Sequence, residues 1–160
     1  MPIEHITAAV DLGKSRCRVA VITPEGRAIY ERGVAGSNNL RAMAEARVDV
    51  LLAQPADAAV RSEVVETMAR IDPAAYRIGA EAVWLADQSQ RARAIGVPTL
   101  ILCGTEDRPT PPELSHQLQS MVPRSRLALI ERAGHLTNLE QPDAFNRLVS
   151  AFLRDMESRS

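Results

Sequence analysis

The sequence predicts an α/β fold in which strands and helices alternate through the second half of the chain. One observation is a short apolar run over 98–103 that ends at Gly104, which is typical of a buried strand in a parallel sheet. A second observation is that this run is followed by a helical pattern over 111–122 and then by another apolar run over 126–130. A third is the N-terminal segment, residues 1–38, where short apolar runs and turn residues predict an antiparallel β-meander.

The composition is that of an ordinary globular protein, with 46% hydrophobic and 24% charged residues. A net charge of −1 with both signs interspersed gives no electrostatic reason to expect nucleic acid or a membrane surface as a partner. No apolar run approaches the roughly 18 residues of a membrane-spanning helix. Cys17 and Cys103 fall on predicted strands and indicate reduced thiols in the cytoplasm. We expect no cofactor and no metal ion.

Within the N-terminal segment, three strands are predicted at 6–12, 17–22 and 27–34. Turn residues separate them, first Gly13-Lys14-Ser15 and then Pro24-Glu25-Gly26. We expect these strands to dock beside the later ones in a single mixed sheet, the alternative being that they lie apart from them.

The residues around Ser15 allow three interpretations. A phosphate-binding P-loop is excluded because its first glycine would fall at Ala8. A nucleophile elbow is only partly matched, because Gly13-x-Ser15-x-Cys17 lacks the second glycine and a strand is predicted after the serine. As a strand, an Asp-x-Gly turn and a strand, the segment resembles the opening hairpin of sugar kinases of the actin and hexokinase superfamily. That resemblance implies that Asp11 approaches a nucleotide phosphate.

A cluster of glycine, serine and asparagine residues ends the N-terminal segment, and we place a boundary after residue 38. Beyond it, apolar residues recur at helical spacing. Asp57 and Asp72 stand at N-cap positions, and Pro73 stands at a first helical position. This spacing predicts helices over 40–52, 58–71 and 73–84, with a short fourth helix from Ser89.

The helix between the two C-terminal strands has its own start signal. Thr110, Pro111 and Glu113 match a capping box with proline at the start of the helix. After the second strand, Pro142 opens the clearest amphipathic pattern in the chain. Its apolar face, expected to pack on the sheet, consists of Phe145, Leu148, Val149, Phe152, Leu153 and Met156.

A carboxylate and an imidazole follow these two strands. Asp107 comes just after the strand over 98–103, and His135 comes after the strand over 126–130. Because the carboxyl ends of parallel strands share one edge of a sheet, we expect the two side chains to meet there. An acid that orients a histidine makes that histidine a general base. The alternative is that Asp107 caps a turn and His135 lies in a surface loop.

The order strand, Gly-x-x-Asp, helix, strand, Gly-His, helix resembles the last quarter of an α/β-hydrolase. The motifs that carry the resemblance are Gly104-Thr105-Glu106-Asp107 and Ala133-Gly134-His135-Leu136. The likeness extends from about residue 41 to residue 154 and implies that Asp107 is the acid, and His135 the base, of a catalytic triad.

The helical region, residues 39–96, resembles the cap of such an enzyme. Ile71-Asp72-Pro73-Ala74-Ala75-Tyr76 and the later Trp84 are most similar to the caps of enol-lactone hydrolases and related esterases. This implies that Tyr76 and Trp84 are candidates for substrate binding, although aromatic residues in such positions are more often core anchors than ligand contacts. Residues 97–160 would then be the C-terminal segment of the hydrolase core.

The nucleophile is the missing part. In α/β-hydrolases the serine precedes the acid and the histidine along the chain, yet no Gly-x-Ser-x-Gly occurs in these 160 residues. Ser15 lies roughly where an elbow would fall, but its surroundings favour a strand, a turn and a strand. We therefore expect a partial α/β-hydrolase fold with a helical cap, preceded by the β-meander and incomplete as an enzyme.

Three functions remain open at this stage. The first is hydrolysis of a small-molecule ester or lactone, by Ser15 or with a partner that supplies the serine. The second is a non-catalytic α/β domain that associates, for instance with a second copy of itself, through an uncovered sheet edge. The third is a nucleotide-binding remnant around Asp11 and Gly13.

Overall fold

The computed structural model describes residues 6–12, 15–20, 39–84 and 89–158, with side chains described over 39–80 and 89–158. Two compact units divide the chain, one of residues 1–46 and 64–94 and the other of residues 47–63 and 95–160. The described elements, in chain order, are β1 (Ile6–Leu12), β2 (Ser15–Ala20), α1 (Leu40–Leu51), α2 (Ala58–Ala69), α3 (Pro73–Trp84), α4 (Ser89–Arg93), β3 (Thr99–Gly104), α5 (Pro112–Met121), β4 (Ser125–Ile130), α6 (Thr137–Glu140) and α7 (Pro142–Glu157).

In the first unit, β1 and β2 form an antiparallel pair whose register runs from Leu12 opposite Ser15 to Thr7 opposite Ala20. The third predicted strand, over 27–34, lies outside the described residues, so the meander as a whole stays a prediction. Among the described strands, hydrogen bonds join β1 only to β2 and β3 only to β4. The single mixed sheet that we expected is therefore not found in that part of the chain, where each strand pairs with its neighbour in sequence.

The predicted helices α1 to α4 are all present. Asp57 accepts hydrogen bonds from the backbone N–H groups of Ala59 and Val60, at 2.8 and 3.0 Å, so it caps α2 as predicted. Asp72 caps α3 in the same way through the N–H of Ala75. The sequence did not predict a third helix cap, because Asn39 belongs to the cluster of glycine, serine and asparagine residues that was interpreted as a boundary between segments. Its side chain accepts a hydrogen bond from Ala42 and caps α1.

In the second unit, β3 and β4 are parallel, with Thr99 opposite Ser125 and Gly104 opposite Ile130. This confirms the predicted pair of strands. Helix α5 connects them and packs on both, with Leu118 buried at 3% exposure. The sheet buries Ile101 and Cys103. The carboxyl ends of both strands consequently lie at one edge.

Helix α7 packs beside β3 and β4, as its apolar periodicity predicts. The residues of its predicted apolar face are half-buried rather than fully buried, apart from Leu153, which is 54% exposed. Neither this 16-residue helix nor any other helix in the described ranges is long and apolar enough to cross a membrane.

The capping box predicted for α5 is wrong. The helix begins at Pro112 with Pro111 at its N-cap, and no side chain caps it. The hydroxyl of Thr110 donates instead to the carboxylate of Asp107 at 2.8 Å. An ionised carboxylate is a strong acceptor, and this bond directs the Thr110 hydroxyl towards the acid.

Candidate active site

Asp107 and His135 meet at the edge where β3 and β4 end. Nδ1 of His135 lies 2.9 Å from Oδ2 and 3.1 Å from Oδ1 of Asp107. Because a carboxylate only accepts hydrogen bonds, Nδ1 is the donor, and in the neutral imidazole Nε2 then keeps its lone pair. Asp107 is buried at 6% exposure, whereas the side chain of His135 is 37% exposed. The imidazole is thus oriented from the protein side and accessible on its other side.

Thr110 completes the surroundings of the acid. Its backbone N–H donates to Oδ1 of Asp107 at 2.9 Å and its hydroxyl donates to Oδ2 at 2.8 Å. The hydroxyl oxygen also lies 3.1 Å from Nδ1 of His135. Three donor groups therefore surround one buried carboxylate and fix the orientation of its plane. The sequence pattern around Thr110 predicted a role for this residue, but as the cap of a helix and not as a partner of Asp107.

Backbone contacts join the acid loop (residues 105–111) to the base loop (residues 131–136). The N–H of Glu106 donates to the carbonyl of Ala133 at 2.9 Å, and the N–H of Thr105 donates at 3.0 Å to the carbonyl of Ile130, the last residue of β4 before the base loop. A Cβ atom on Gly104 would lie 2.1 Å from the Ala133 oxygen. Only glycine allows the end of β3 to approach the base loop this closely.

The base loop also contacts the connection between α1 and α2, which we call the 51–54 segment. The N–H of His135 donates to the carbonyl of Leu51 at 2.7 Å. A Cβ atom on Gly134 would lie 2.6 Å from the same oxygen and 2.7 Å from the nitrogen of Ala53. The two backbones are therefore in direct contact at Gly134 and His135.

Cys103, the last residue of β3 but one, is the buried thiol nearest in sequence to the acid. Its Sγ lies 3.4 Å from the carbonyl oxygen of Gly104. Burial raises the pKa of the Cys103 thiol, which disfavours the thiolate that a nucleophile would need. It therefore packs as a small apolar residue.

Three predicted site residues belong to the first unit, not to the unit that holds the acid and the histidine. Ser15 is the first residue of β2, and its position at the start of a strand is not the strand–turn–helix setting of a nucleophile elbow. Tyr76 is half-buried in α3, and Trp84 ends that helix. The side chains of Ser15 and Trp84 lie outside the described part of the chain. The roles predicted for all three stay predictions.

Comparison with known proteins agrees with this arrangement. The sequence profile of the α/β-hydrolase family matches residues 8–148. The 2-hydroxy-6-oxo-2,4-heptadienoate hydrolase of Pseudomonas putida is 38% identical over 96 residues, which are 60% of this chain and 34% of that protein. The enol-lactonase structure from Burkholderia xenovorans LB400 is 25% identical with a TM-score of 0.73, and the match covers 79% of this chain and 50% of that one. A thermophilic esterase structure from Thermogutta terrifontis is 24% identical with a TM-score of 0.71, covering 84% and 52% respectively.

The chain spans about half the length of these solved structures and about a third of that curated relative. The profile begins at residue 8, inside the segment that resembles a sugar-kinase hairpin, and the kinase resemblance is not supported. The parallel pair of strands and the acid and histidine at their ends fall within the matched range. This chain belongs to the α/β-hydrolase family.

Proposed function

We propose that this chain carries the acid and the base of a hydrolase that cleaves small carboxylic esters or lactones, enol-lactones among them. The observation that carries the proposal is the 2.9 Å contact between the buried carboxylate of Asp107 and Nδ1 of His135. The solved esterase and enol-lactonase structures support this class of substrate, since both match this fold over most of the chain.

In the proposed reaction, Nε2 of His135 takes the proton of a nucleophilic hydroxyl as its oxygen attacks the carbonyl carbon of the substrate. Asp107 holds the imidazole in the required tautomer and stabilises the positive charge that it acquires. The acyl–oxygen bond then breaks, and the imidazolium returns the proton to the leaving oxygen. Water releases the acyl group by the same sequence of steps. Ser15 is the candidate nucleophile within this chain, and a serine on a second polypeptide is the alternative.

The test is hydrolysis of an activated acetate ester by the purified chain and its variants. His135→Ala should abolish the turnover above background, and Asp107→Asn should lower kcat by about three to four orders of magnitude. Turnover that is equal in the unmodified chain and in His135→Ala would reject the proposal. Ser15→Ala assigns the nucleophile, because loss of activity places it at Ser15 and unchanged activity places it elsewhere.

His116→Ala is the matched control. His116 is exposed on α5, and a solvent-accessible imidazole can hydrolyse activated esters slowly without any built site. If the activity depends on the Asp107–His135 pair, this control keeps the full rate. Equal losses in the His116 and His135 variants would mean that the activity is that of surface imidazoles.

Association is a second candidate function, favoured by exposed apolar side chains in the second unit. Val97 is 62% exposed and Leu129, on β4, is 39% exposed. Together with Leu153 on α7, they offer apolar surface to a partner, including a second copy of this chain. Sedimentation equilibrium at increasing concentration tests this, and a purely monomeric species throughout would reject it.

A further inference from the structure

We propose that Glu140 is a positioning residue for His135, acting by fastening the base loop to the 51–54 segment. Its consequence for catalysis rests on the proposed function, whereas the positioning itself can be measured in the absence of turnover. Glu140 ends the short helix α6, five residues after His135, and the helical turn brings its carboxylate back towards the base loop.

The carboxylate bridges two backbone groups that are far apart in sequence. Oε2 accepts the N–H of Gly134 at 2.9 Å, and Oε1 accepts the N–H of Ala53 at 2.6 Å. Gly134 is directly bonded to His135, so the first of these contacts holds the peptide that precedes the histidine. The second contact holds the segment on which that peptide lies. Both bonds are made to an anionic acceptor, which makes them stronger than bonds between neutral groups.

The contact between His135 and Leu51 makes Glu140 part of a three-bond attachment. The histidine N–H donates to the Leu51 carbonyl at 2.7 Å, while the adjacent Gly134 N–H is held by Glu140. Gly134 is buried and has no space for a Cβ atom against the 51–54 segment. The position of the exposed imidazole is therefore set by the backbone of its loop, and Glu140 is the side chain that fixes this backbone.

Each carboxylate oxygen of Glu140 accepts a hydrogen bond from a different backbone N–H. A substitution by glutamine can therefore remove one of these hydrogen bonds without changing the shape of the side chain. Glutamine has the same shape but offers only one acceptor oxygen, and its amide nitrogen would face an N–H donor. Glu140→Gln therefore loses one of the two bonds and places two donors against each other, without opening a cavity. A matched control is Glu63→Gln, the same change at an exposed position on α2.

The experiment compares the unmodified chain, Glu140→Gln and Glu63→Gln by NMR and by ester hydrolysis. In Glu140→Gln we expect amide hydrogen exchange at Gly134 or Ala53 to accelerate at least about tenfold, because a protecting hydrogen bond is lost. We also expect the imidazole ¹H and ¹⁵N resonances of His135 to shift. In the hydrolysis assay, kcat should fall roughly tenfold to a hundredfold with KM unchanged, since a small displacement of a catalytic group has that cost. Glu63→Gln should match the unmodified chain in every measurement.

Unchanged exchange at Gly134 and Ala53 together with unchanged His135 resonances in Glu140→Gln would overturn the proposal, whatever the activity. The same loss of kcat in Glu63→Gln would also overturn it, because the effect would then be global. If the unmodified chain shows no turnover that depends on His135 but the resonances shift as expected, the hydrolase proposal fails and the positioning role is supported.

Discussion

The acid and base loops of the second unit and the helices of the first unit are held by different kinds of contact. The loops touch backbone to backbone, and neither Gly104 nor Gly134 has space for a methyl group. In the helices, Arg41 and Glu66 form a bidentate ion pair between side chains that are each about half exposed, and a Cβ atom on Gly79 would meet nothing within 4 Å. The loops therefore have little freedom to adjust, while the helical surface has much.

Under the proposed function, the difference follows from what each region has to hold in place. General-base catalysis requires an imidazole placed to within a fraction of an ångström, and short backbone hydrogen bonds provide that rigidity. A helical region with the predicted role of a cap requires only that its helices form and bury one face. Its N-caps and exposed ion pairs are sufficient for this, and they leave the surface free to change.

The largest effect is expected from Gly104→Ala. The new methyl group would overlap the carbonyl oxygens of Ala133 and Gly134, which belong to backbone and cannot rotate away. The base loop must move, and we expect a loss of about 3 kcal/mol in the free energy of unfolding, at the upper end of overpacking costs. Urea denaturation measures this loss.

Gly79→Ala is the matched control for that substitution. The same methyl group enters open space inside helix α3, where alanine is favoured over glycine by about 1 kcal/mol. The two glycine variants should therefore shift the urea midpoint in opposite directions. Similar losses in both would show that the loops are no more constrained than the helices.

Sequence patterns predicted the features that depend on neighbours along the chain. The caps at Asp57 and Asp72 and the parallel strands were predicted in this way, and the strand-end rule predicted that Asp107 and His135 meet. Their catalytic role, like the cytoplasmic location, stays a prediction.

Local sequence patterns could not predict contacts between residues that are far apart in the sequence. Glu140 and Ala53 are 87 residues apart, and no local pattern connects them. Thr110 was misassigned because a threonine before a proline-led helix has the pattern of a capping residue, and only the fold shows that a carboxylate lies closer to its hydroxyl.

An intermediate effect is expected from Thr110→Val, which removes the hydroxyl that donates to Asp107 and keeps the shape of the side chain. A hydrogen bond to a charged, buried acceptor contributes roughly 1.5–3 kcal/mol, so we expect a loss of stability near the lower end of that range. Ester turnover should fall as well, because the carboxylate that orients His135 loses one of its three donors. Thr110→Ser restores the hydroxyl and should recover most of both losses. Recovery in neither measurement would mean that the methyl group, and not the hydroxyl, is what matters.

The smallest effect is expected from the ion pair on the helical surface. The hydrogen bond from Arg41 lowers the pKa of Glu66 below its ordinary value of about 4.3. A carboxyl group whose pKa is lower in the folded state stabilises the protein above its unfolded-state pKa, and this contribution is lost as the pH falls through the folded-state pKa. Since both side chains are exposed, salt also screens the pair. Thermal unfolding of the unmodified chain and Glu66→Gln should therefore differ slightly at neutral pH and low salt, and this difference should shrink as the pH falls through the folded-state pKa of Glu66 or in about 1 M salt. A large difference that persists in salt would mean that this pair is shielded from solvent, and the helical surface would then be as constrained as the two loops.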